Sequence, residues 1–518
     1  MMKDKNKIIK TQCEKAIEML EEDYGAEFFK DEKNNVYVKV YLNEHMNLLS
    51  VNSDSFKTFL NGVFFMKYNR GLNRDVFNQI IDIVSFSPLF EMSKSDKLFN
   101  RIGYDEEDSF YYDLSNWNGE VVKIANGYWE VGSYYPVNFK RFNHQLPQLI
   151  PEENNANIKN CAKIFDYLNI SKSDRQLFLV WLISCFIPNI PHPILILNGE
   201  MGTAKTTTFT FLKKLIDPSV AETLAIEKDM RDLSVIFENH WFVPLDNISS
   251  INTETSDCLC RAVTGAATQK RKLHTNGEDY IFKYQKCIGI NGISQVANKP
   301  DLIDRSIIIE MEPIKPEERK ELTQLTKEFE SDIPIILAGV FETLSKAKEI
   351  FNTVEIKSFE RMADFEKWGY TISRVLDGVE FTDNFIREYH QRIKKQKRDL
   401  LFNDVVALTL LSYLKNKAEF HGTMTLLLAN LKEEAEAIGI DTRGNQFPKY
   451  PNKLSMRINE IQRNLVEEGI SIDKSRNGEK REIHIINQNF KTISVPMVNI
   501  PMIRKEEKNE TDNNPNFI

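Results

Sequence analysis

A glycine-rich segment of this sequence has the residue types and spacing that bind the phosphate groups of a nucleotide. It follows an apolar run, opens a helical pattern, and reads Gly199-Glu-Met-Gly202-Thr203-Ala204-Lys205-Thr206-Thr207. The backbone N–H groups of such a turn surround an anion, and the positive end of the helix dipole strengthens the attraction. Lys205 is placed to reach the β- and γ-phosphates, and the Thr206 hydroxyl is placed to bind Mg²⁺. The segment therefore predicts a site for ATP and Mg²⁺.

One position departs from the usual phosphate-binding motif. Ala204 stands where the motif normally has glycine, which adopts positive φ angles without steric cost. A methyl group is tolerated there if the local φ is negative, and this is the conformation that we expect.

Polar residues end two further apolar runs that are expected to be strands beside this loop. Asp246 ends the first run, and its carboxylate is the expected partner of the Mg²⁺ water shell. Asn247 occupies the place where many ATPases have a second acid that orients the attacking water. Either Asn247 orients that water itself, or Glu200 or Asp229 does so. Asn291 ends the next run and is expected to contact the γ-phosphate or the water, unless it only caps the following turn.

An arginine precedes a fourth apolar run at 306–311. Arg305 is expected at the edge of the domain, where such a residue completes the site of a neighbouring subunit and neutralises transition-state charge. The alternative is a surface ion pair with Asp301 or Asp304.

The elements around these residues alternate between strand and helix patterns. From residue 194 to about 312 this alternation predicts a parallel α/β sheet, while residues 315–376 have a helical pattern with one polar face. Residues 111–137 alternate as a hairpin or meander does, with turns at Asn-Gly pairs.

Composition limits the class of protein. Of 518 residues, 42% are hydrophobic and 27% are charged, which is typical of a globular chain. Six cysteines are too few for a disulfide scaffold. No long apolar run and no secretory leader pattern is present, so we expect a cytoplasmic chain without a membrane partner. The net charge of −8 argues weakly against a polycation but leaves room for local basic patches.

The motifs together carry a family resemblance. The Gly-Thr-Ala-Lys loop, the strand that ends Leu-Asp-Asn, Asn291 and the Asp-Arg pair before the fourth strand resemble those of AAA+ helicase ATPases. They are similar in particular to MCM-like replicative helicases of bacterial mobile elements, such as phages, staphylococcal cassette chromosomes and pathogenicity islands. Superfamily-three viral helicases share the layout. The resemblance covers 190–376 well, the C-terminal region moderately and 1–150 poorly.

The chain departs from MCM proteins in two respects. The segment 225–239 is too short for their additional hairpin, and their N-terminal zinc module is missing. The resemblance implies a hexameric ring that unwinds DNA with 3′-to-5′ polarity, with ATP between subunits. It also makes Arg361 a second sensor of the nucleotide, although an ion pair with Asp364 is an alternative.

The resemblance places a DNA-contacting hairpin before the Asn291 strand. The sequence 268–286 has an Asn-Gly turn pair and a net charge of +3. The residues expected to grip a single strand through its phosphates are Lys270, Arg271, Lys272 and His274. The alternative is a solvated edge hairpin.

The C-terminal region has three helical patterns and a hairpin around an Asn-Gly turn, which suggest a winged helix. Its third helix and its wing supply basic side chains for duplex DNA, although such domains also dock proteins. The candidate DNA-binding residues are Lys453, Arg457, Arg476, Lys480 and Arg481.

The sequence thus predicts an α/β AAA+ P-loop core with an α+β N-terminal domain and a C-terminal winged helix. The expected segments are an N-terminal domain for DNA or a partner (1–150), the motor with its lid (158–376), a basic linker (377–400), the winged helix (401–488) and a disordered tail (489–518).

Three functions fit these features. The first is a hexameric, ATP-dependent replicative DNA helicase, which acts on single- and double-stranded DNA with replication proteins as partners. The second is an origin-binding initiator or helicase loader with ATP as a switch, which Asn247 in place of an acid favours. The third is a primase-helicase, but residues 1–150 lack a convincing Asp-x-Asp metal pair.

Overall fold

The computed structural model describes residues 10–42, 45–90, 95–225, 230–248, 251–265, 268–271, 279–282, 285–292, 299–377, 385–444, 446–477 and 480–490. These residues form two compact units, and the chain passes from the first to the second between Gln396 and Lys397. Four predicted features lie outside the described residues: Asp229, Lys272, His274 and the tail beyond residue 490. No helix in the described ranges is both long enough and apolar enough to span a membrane.

The first unit begins with three helices around a small antiparallel sheet. The elements are α1 (Gln12–Tyr24), β1 (Glu27–Lys30), β2 (Val36–Leu42), β3 (His45–Ser50), α2 (Asp54–Tyr68) and α3 (Arg74–Phe90). Thr11 and Glu14 form a capping box at the start of α1, and Gly25 ends this helix with a φ of +55°. The sequence of β2 alternates apolar and polar residues, and its valines pack against the helices in a core of their own.

A second antiparallel sheet follows. The elements are β4 (Leu98–Phe99), β5 (Ile102–Tyr104), β6 (Phe110–Asp113), β7 (Val121–Ile124), β8 (Trp129–Gly132) and β9 (Asn138–Phe139). Strands β5 to β8 form the predicted meander in sequence order. Its inner face does not have a separate core, because the Tyr112 ring packs on Phe186 and Phe341 at centroid distances of 5.2 and 5.6 Å. The boundary expected at residue 150 therefore does not coincide with the limit of a core.

The remainder of the first unit contains the phosphate-loop segment. Its first elements are 3₁₀ helices at Glu153–Asn155 and Ile158–Asp166, α4 (Arg175–Ser184), β10 (Ile194–Asn198), α5 (Lys205–Ile216), α6 (Met230–Asn239), β11 (Phe242–Leu245) and α7 (Thr253–Thr264). The chain continues with β12 (Thr268–Arg271), β13 (Asp279–Phe282), β14 (Cys287–Asn291), α8 (Pro300–Ile303), β15 (Ser306–Glu310), a 3₁₀ helix at Pro316–Glu318, α9 (Leu322–Phe351), α10 (Ala363–Leu376) and α11 (Phe385–Phe402). The boundary between the two units falls within α11.

Strands β10, β11, β14 and β15 form the predicted parallel sheet, in the order β11-β14-β10-β15. The register pairs Leu197 with Asn291 and Leu245 with Ile290, so the carboxyl ends of three strands lie at one edge. All five residues of β14 and four of the five residues of β10 are buried, as expected for strands that are covered on both faces. The sheet therefore brings the segments after β10, β11 and β14 to a common edge.

The second unit continues from the end of α11. Its elements are α12 (Val405–Leu414), β16 (Glu419–Thr423), α13 (Met424–Ala437), α14 (Pro451–Glu467), β17 (Ile470–Asn477) and β18 (Lys480–Asn487). The antiparallel sheet has the order β16-β18-β17 and packs with the helices around a leucine- and isoleucine-rich core. Asp404 caps α12 through the Ala407 N–H group, and Thr423 caps α13 through the Leu426 N–H group.

Candidate nucleotide site and nucleic-acid surfaces

The loop between β10 and α5 has the conformation of an anion-binding turn. Gly199 has a φ of +155°, and a Cβ atom there would lie 2.7 Å from the Met311 carbonyl oxygen. Gly202 has a φ of +82° and therefore also needs glycine. The Thr203 hydroxyl donates a 3.0 Å hydrogen bond to the Glu200 carbonyl and closes the turn. The two predicted glycines thus occupy the positions where the backbone requires them.

Ala204 contradicts the expectation of a negative φ. Its φ is +63° and its ψ is +29°, so the residue before α5 is left-handed. This conformation costs an L-residue with a Cβ atom roughly 1–2 kcal/mol. The glycine of the usual motif would take it without strain, and the turn retains its shape with alanine because the flanking strand and helix impose it.

The two residues after Ala204 bond to the loop and to the end of β11. The Lys205 ammonium donates hydrogen bonds to the carbonyl oxygens of Gly199 and Glu200 at 2.6 and 2.8 Å. The Thr206 hydroxyl donates a 3.0 Å hydrogen bond to Asp246 Oδ1. Lys205 therefore lies across the mouth of the loop, and two oxygen ligands suited to Mg²⁺ lie side by side.

The ends of β11 and β14 are joined by a hydrogen bond at the same edge. The backbone N–H of Asn247 donates to Asn291 Oδ1 at 2.8 Å, and the Ile248 N–H donates to the Asn291 carbonyl at 2.9 Å. Asn247 is exposed with a φ of +56°, whereas Asn291 is 2% exposed and its Nδ2 atom has no hydrogen-bond partner among the described residues. Asp246, Asn247 and Asn291 are thus brought together as predicted, with one buried donor left over.

These groups fit a nucleoside triphosphate with Mg²⁺. Hydroxyl and carboxylate oxygens are ligands that Mg²⁺ prefers, and it keeps several waters and phosphate oxygens as its other ligands. The unsatisfied Asn291 donor is the kind of group that a γ-phosphate or attacking water would pair. Thr207 lies in the first turn of α5 and is half-buried.

The structure places Arg305 and Arg361 together, away from the loop. Both bind Asp301, Arg305 in an ion pair and Arg361 at 2.9 Å, and Arg361 also lies 3.7 Å from Asp304. Arg305 directly precedes β15, which pairs in parallel with β10, so it lies at the edge opposite the loop. Five residues of strand separate the two edges by about 16 Å. Neither arginine reaches the loop of its own chain.

The Arg305 side chain is nearly buried but only partly paired. It is 11% exposed, it donates to the Asp301 carbonyl at 2.8 Å, and its Nε atom has no partner. Burial raises the pKa of Asp301, but the hydrogen bond and charge of Arg305 outweigh this effect and hold the pKa below its usual value. The ion pair with Asp301 is the alternative that the sequence left open for Arg305, while Arg361 pairs with Asp301 and Asp304.

Three groups near the loop had no recognisable pattern in the sequence. The Arg319 guanidinium lies beside the loop, 3.9 Å from the position that a Cβ atom on Gly202 would take. Asn198 donates to the Glu310 carboxylate at 3.0 Å, which joins β10 to β15 at the loop edge. Arg319 follows a 3₁₀ helix in a polar segment, where one basic residue is indistinguishable from any surface cation.

A buried charge network behind the sheet was also missed. Arg101, which has a φ of +65°, donates through Nε to Asp217 Oδ1 at 3.1 Å. Lys213 donates to Asp217 Oδ2 at 2.7 Å and contacts His240 Nδ1 at 3.1 Å. Burial and the Lys213 charge lower the pKa of His240 to about 3. The only local pattern was the i,i+4 spacing of Lys213 and Asp217, which is common on surface helices.

The basic hairpin is described in part. Strands β12 and β13 pair with Thr268 opposite Phe282, and Lys270 and Arg271 lie on the first strand. The predicted hairpin is therefore confirmed in its backbone pairing. Its tip, with Lys272 and His274, lies outside the described residues.

The second unit presents its basic residues unequally. Lys453 on α14 and Arg481 on β18 are exposed. In the β17–β18 ladder, Arg476 is paired with Arg481 and Asn477 is paired with Lys480. Arg457 differs, because it binds Asp404 through Nε at 2.7 Å and Glu460 through NH1 at 2.6 Å. The expectation that Arg457 faces outward for DNA is therefore corrected: it holds the N-terminal cap of α12.

Two segments of the chain match protein-family models. Residues 162–378 match the model of the actinomycete integrative conjugative element replication protein. Residues 406–495 match the model of the AICE RepA C-terminal domain. These two matches confirm that the chain is similar to replication proteins of mobile elements. Neither matching model is that of an MCM protein. No curated protein matches the chain.

Solved structures similar to the chain include those of the NrS-1 C-terminal region and of a JCV helicase. An apo structure of the NrS-1 C-terminal region in its A form is 14% identical, covers 89% of this chain and 96% of its own, and has a TM-score of 0.37. Another apo structure of the same region is 14% identical, covers 90% of this chain and 96% of its own, and has a TM-score of 0.35. A JCV helicase structure with a bound small molecule is 18% identical, covers 44% and 62%, and has a TM-score of 0.24.

Proposed function

We propose that this chain is an ATP-dependent DNA helicase that replicates a mobile genetic element. The observation that carries this proposal is the common edge of the parallel sheet, where the phosphate loop, the Thr206–Asp246 pair and Asn291 meet. The match of residues 162–378 to a replication-protein family supports the biological setting.

The chain's own residues suggest how hydrolysis would proceed. When ATP binds, the Lys205 ammonium exchanges the Gly199 and Glu200 carbonyls for phosphate oxygens, and the loop N–H groups surround the phosphates. Bound Mg²⁺ would neutralise phosphate charge, and Thr206 and Asp246 would hold it. Asn291 positions Asn247 and offers its free Nδ2 donor toward the attacking water. Thr203 and Ala204 shape the turn.

The position of Arg305 supports the proposal that the chain assembles as a hexameric ring with AAA+ organisation. Since this arginine lies at the sheet edge opposite its own loop, it contributes to hydrolysis only if it faces the loop of a neighbouring subunit. Head-to-tail contacts of this kind close into a ring. The sheet order β11-β14-β10-β15 is consistent with an AAA+ core, and the chain segment at Leu224 bridges to Leu245 beyond β11.

DNA contacts are assigned to two basic surfaces. The β12–β13 hairpin, with Lys270, Arg271, Lys272 and His274, would grip one strand in the ring channel, with 3′-to-5′ movement as the resemblance implies. The second unit has the helix-strand-helix-helix-strand-strand order of a winged helix. Its exposed Lys453 and the ladder residues Arg476, Lys480 and Arg481 would contact duplex phosphates.

The central test is the Lys205→Ala variant. We expect it to abolish ATP hydrolysis and unwinding of a forked DNA substrate, while Lys214→Ala, at the far end of the same helix, retains both. Retained hydrolysis in the Lys205 variant would reject the site.

For the hairpin, we expect Lys272→Ala combined with His274→Ala to reduce unwinding without loss of ATP binding, and unchanged unwinding would reject the channel assignment.

A second function is favoured by one observation. Asn247 stands where a second acid would orient the attacking water. Of the two carboxylates considered in its place, the structure describes Glu200, which is exposed. Slow hydrolysis with ATP as a switch is therefore chemically reasonable. An origin-binding initiator or helicase loader would behave in this way. A steady-state ATPase assay separates the two: a helicase is strongly stimulated by single-stranded DNA, whereas a switch is not.

A further inference from the structure

A cavity lies at the edge of the parallel sheet opposite the phosphate loop. It has a volume of about 290 Å³ and is lined by the turn after β1, by β4 and β5, and by the segments before β11 and β14. Lys286 and Trp241 line its inner end, and each directly precedes a strand of the parallel sheet. Asn291 lies at the other end of the five-residue strand β14, about 17 Å from Lys286. The cavity is therefore separate from the nucleotide site.

The Lys286 side chain is a buried cation, and the charges of the Asp217 and Glu238 carboxylates act on its ammonium. The residue is 6% exposed, and its ammonium lies 5.8 Å from the centroid of the Trp241 ring. Among the described residues no carboxylate forms an ion pair with it, and burial lowers the pKa of its ammonium to about 8. An ammonium in such a place is stabilised by an anion that enters the cavity.

Three acidic residues line the cavity, of which Asp31 and Glu238 are engaged and Glu32 is exposed, while Lys97, Lys140 and Lys286 also line it. Asp31 accepts hydrogen bonds from the backbone N–H groups of Lys33 and Asn35, both at 2.8 Å. Glu238 accepts a hydrogen bond from the Lys33 ammonium at 2.8 Å. The charge that remains available to a ligand is therefore positive.

Aromatic rings and lysines alternate along the wall of the cavity. The Lys97 ammonium lies 4.4 Å from the Tyr104 ring and 5.3 Å from the Phe99 ring, and it donates to the Tyr104 hydroxyl at 2.5 Å. The Lys140 ammonium lies 4.9 Å from the Phe142 ring. These three rings are half-buried and can stack with a base, while the lysines beside them can contact phosphates.

The position of the cavity in the chain points to the same ligand. Gly265 and Gln285 line it, and they bracket the segment that contains β12 and β13. The base of the hairpin that is proposed to grip DNA therefore lies at the cavity. A volume of about 290 Å³ is close to the lower limit of small-ligand pockets, which suits a single nucleotide.

We propose that this cavity binds one nucleotide of single-stranded DNA, with a phosphate at Lys286 and the base against Phe99, Tyr104 or Phe142. The proposal rests on the proposed function, since it adds a second DNA subsite to the hairpin. It also gives β14 a mechanical role. Lys286 directly precedes this strand and Asn291 ends it, so the strand connects the proposed DNA subsite to the proposed ATP site.

The test compares the full-length wild-type protein with Lys286→Met and a matched control, Lys346→Met, whose lysine is exposed on α9. Binding of fluorescein-labelled oligo(dT) is followed by anisotropy over a range of salt concentrations. We expect Lys286→Met to weaken binding about tenfold and to lower the salt slope by about 0.7, as loss of one phosphate contact does. Lys346→Met should match the wild type in affinity and in salt slope.

A second measurement does not depend on the folding of a variant. Wild-type protein is photo-crosslinked to an oligonucleotide that carries 5-iododeoxyuridine, and the adducts are mapped by mass spectrometry. We expect an adduct on Phe99, Tyr104 or Phe142. Addition of dTMP as a free nucleotide should not compete at concentrations where the oligonucleotide is bound.

The outcomes separate this proposal from the proposed function. Equal affinity of wild type and Lys286→Met, with no adduct on the three rings, would overturn the cavity assignment and leave the helicase assignment intact. Strong competition by dTMP would assign the cavity to free nucleotides and likewise overturn it. Failure of the wild-type protein to bind single-stranded DNA at all would instead count against the proposed function.

Discussion

The side-chain oxygen of Asn291 accepts a 2.8 Å hydrogen bond from the backbone N–H of Asn247, and this bond joins the ends of two neighbouring parallel strands. Asn247 follows the carboxylate that pairs with Thr206, so one hydrogen bond connects the end of β14 to the proposed Mg²⁺ ligands. The Nδ2 donor of Asn291 is buried and has no hydrogen-bond partner within the part of the chain that the structure describes. We therefore propose that the pair senses the bound nucleotide.

We expect Asn291→Ala to lower kcat for ATP hydrolysis at least tenfold, about 1.4 kcal/mol, with little change in nucleotide affinity. The variant removes the acceptor of the Asn247 N–H and the donor aimed at the water, but leaves the phosphate loop intact. A coupled ATPase assay gives kcat, and titration with a fluorescent ATP analogue gives Kd. Asn430→Ala on α13 serves as the control, and an equal loss of affinity and of kcat would contradict a sensor role.

Ala204→Gly is expected to stabilise the first unit. Glycine adopts a φ of +63° without the cost of about 1 kcal/mol that alanine pays, so the melting temperature should rise by about 2 °C. Ala347→Gly, in the middle of helix α9, should instead lower it, because glycine costs about 1 kcal/mol in a helix interior. Differential scanning calorimetry measures both, and a lower melting temperature for Ala204→Gly would refute the left-handed conformation.

Complementation between inactive subunits tests the position of Arg305. If this arginine completes the site of a neighbouring subunit, Lys205→Ala and Arg305→Ala are each inactive alone. In a mixed ring, some interfaces combine an intact loop from one variant with an intact arginine from the other. We therefore expect ATPase activity to reappear on mixing, at a fraction of the wild-type rate. No recovery, in mixtures shown to form joint oligomers, would be evidence for a purely structural arginine.

His240 should make the first unit less stable in acid. Its folded-state pKa of about 3 lies below the value of about 6.5 in the unfolded chain, so only the unfolded chain takes up a proton as the pH falls through 6.5. The free energy of unfolding then falls between pH 6.5 and 3, by about 2 kcal/mol at pH 5. We expect His240→Asn, which keeps an acceptor for Lys213, to reduce this loss in urea unfolding at pH 7 and 5. His484→Asn on β18 should not, and identical pH dependence of wild type and His240→Asn would disprove the assignment.

The basic ladder of the second unit is expected to serve DNA binding rather than stability. Arg476 and Arg481 are directly opposite each other across two strands, an arrangement that like charges disfavour without an anionic partner. Replacement of both by alanine should therefore weaken binding to duplex DNA without lowering the melting temperature. Arg457→Ala should lower the melting temperature, because it removes the partner of the buried Asp404 carboxylate. Unchanged DNA affinity of the double variant would favour a protein-docking role.

Much of the nucleotide site could be predicted from sequence because its parts are local. The phosphate loop is nine consecutive residues, and its glycines, lysine and threonine are fixed by the turn between one strand and one helix. Asp246 and Asn291 were found because the carboxyl ends of parallel strands meet at one edge. Apolar alternation and Asn-Gly turns likewise predicted the meander, the hairpin pairing and the sheet of the second unit.

Tertiary structure decided where the isolated charged residues lie. It placed Arg305 with Arg361 on Asp301, gave Arg457 to a helix cap, and buried Arg101 against Asp217. Each of these pairs joins positions far apart in the chain or selects one of several nearby carboxylates, and no local pattern encodes that choice. Ala204 makes the same point for the backbone, since its φ is imposed by the strand and helix that it connects. The sequence by itself therefore determined the chemistry of contiguous motifs. Long-range packing determined which isolated charged residues form stabilising ion pairs and which, as we propose for Lys286, are available to a ligand.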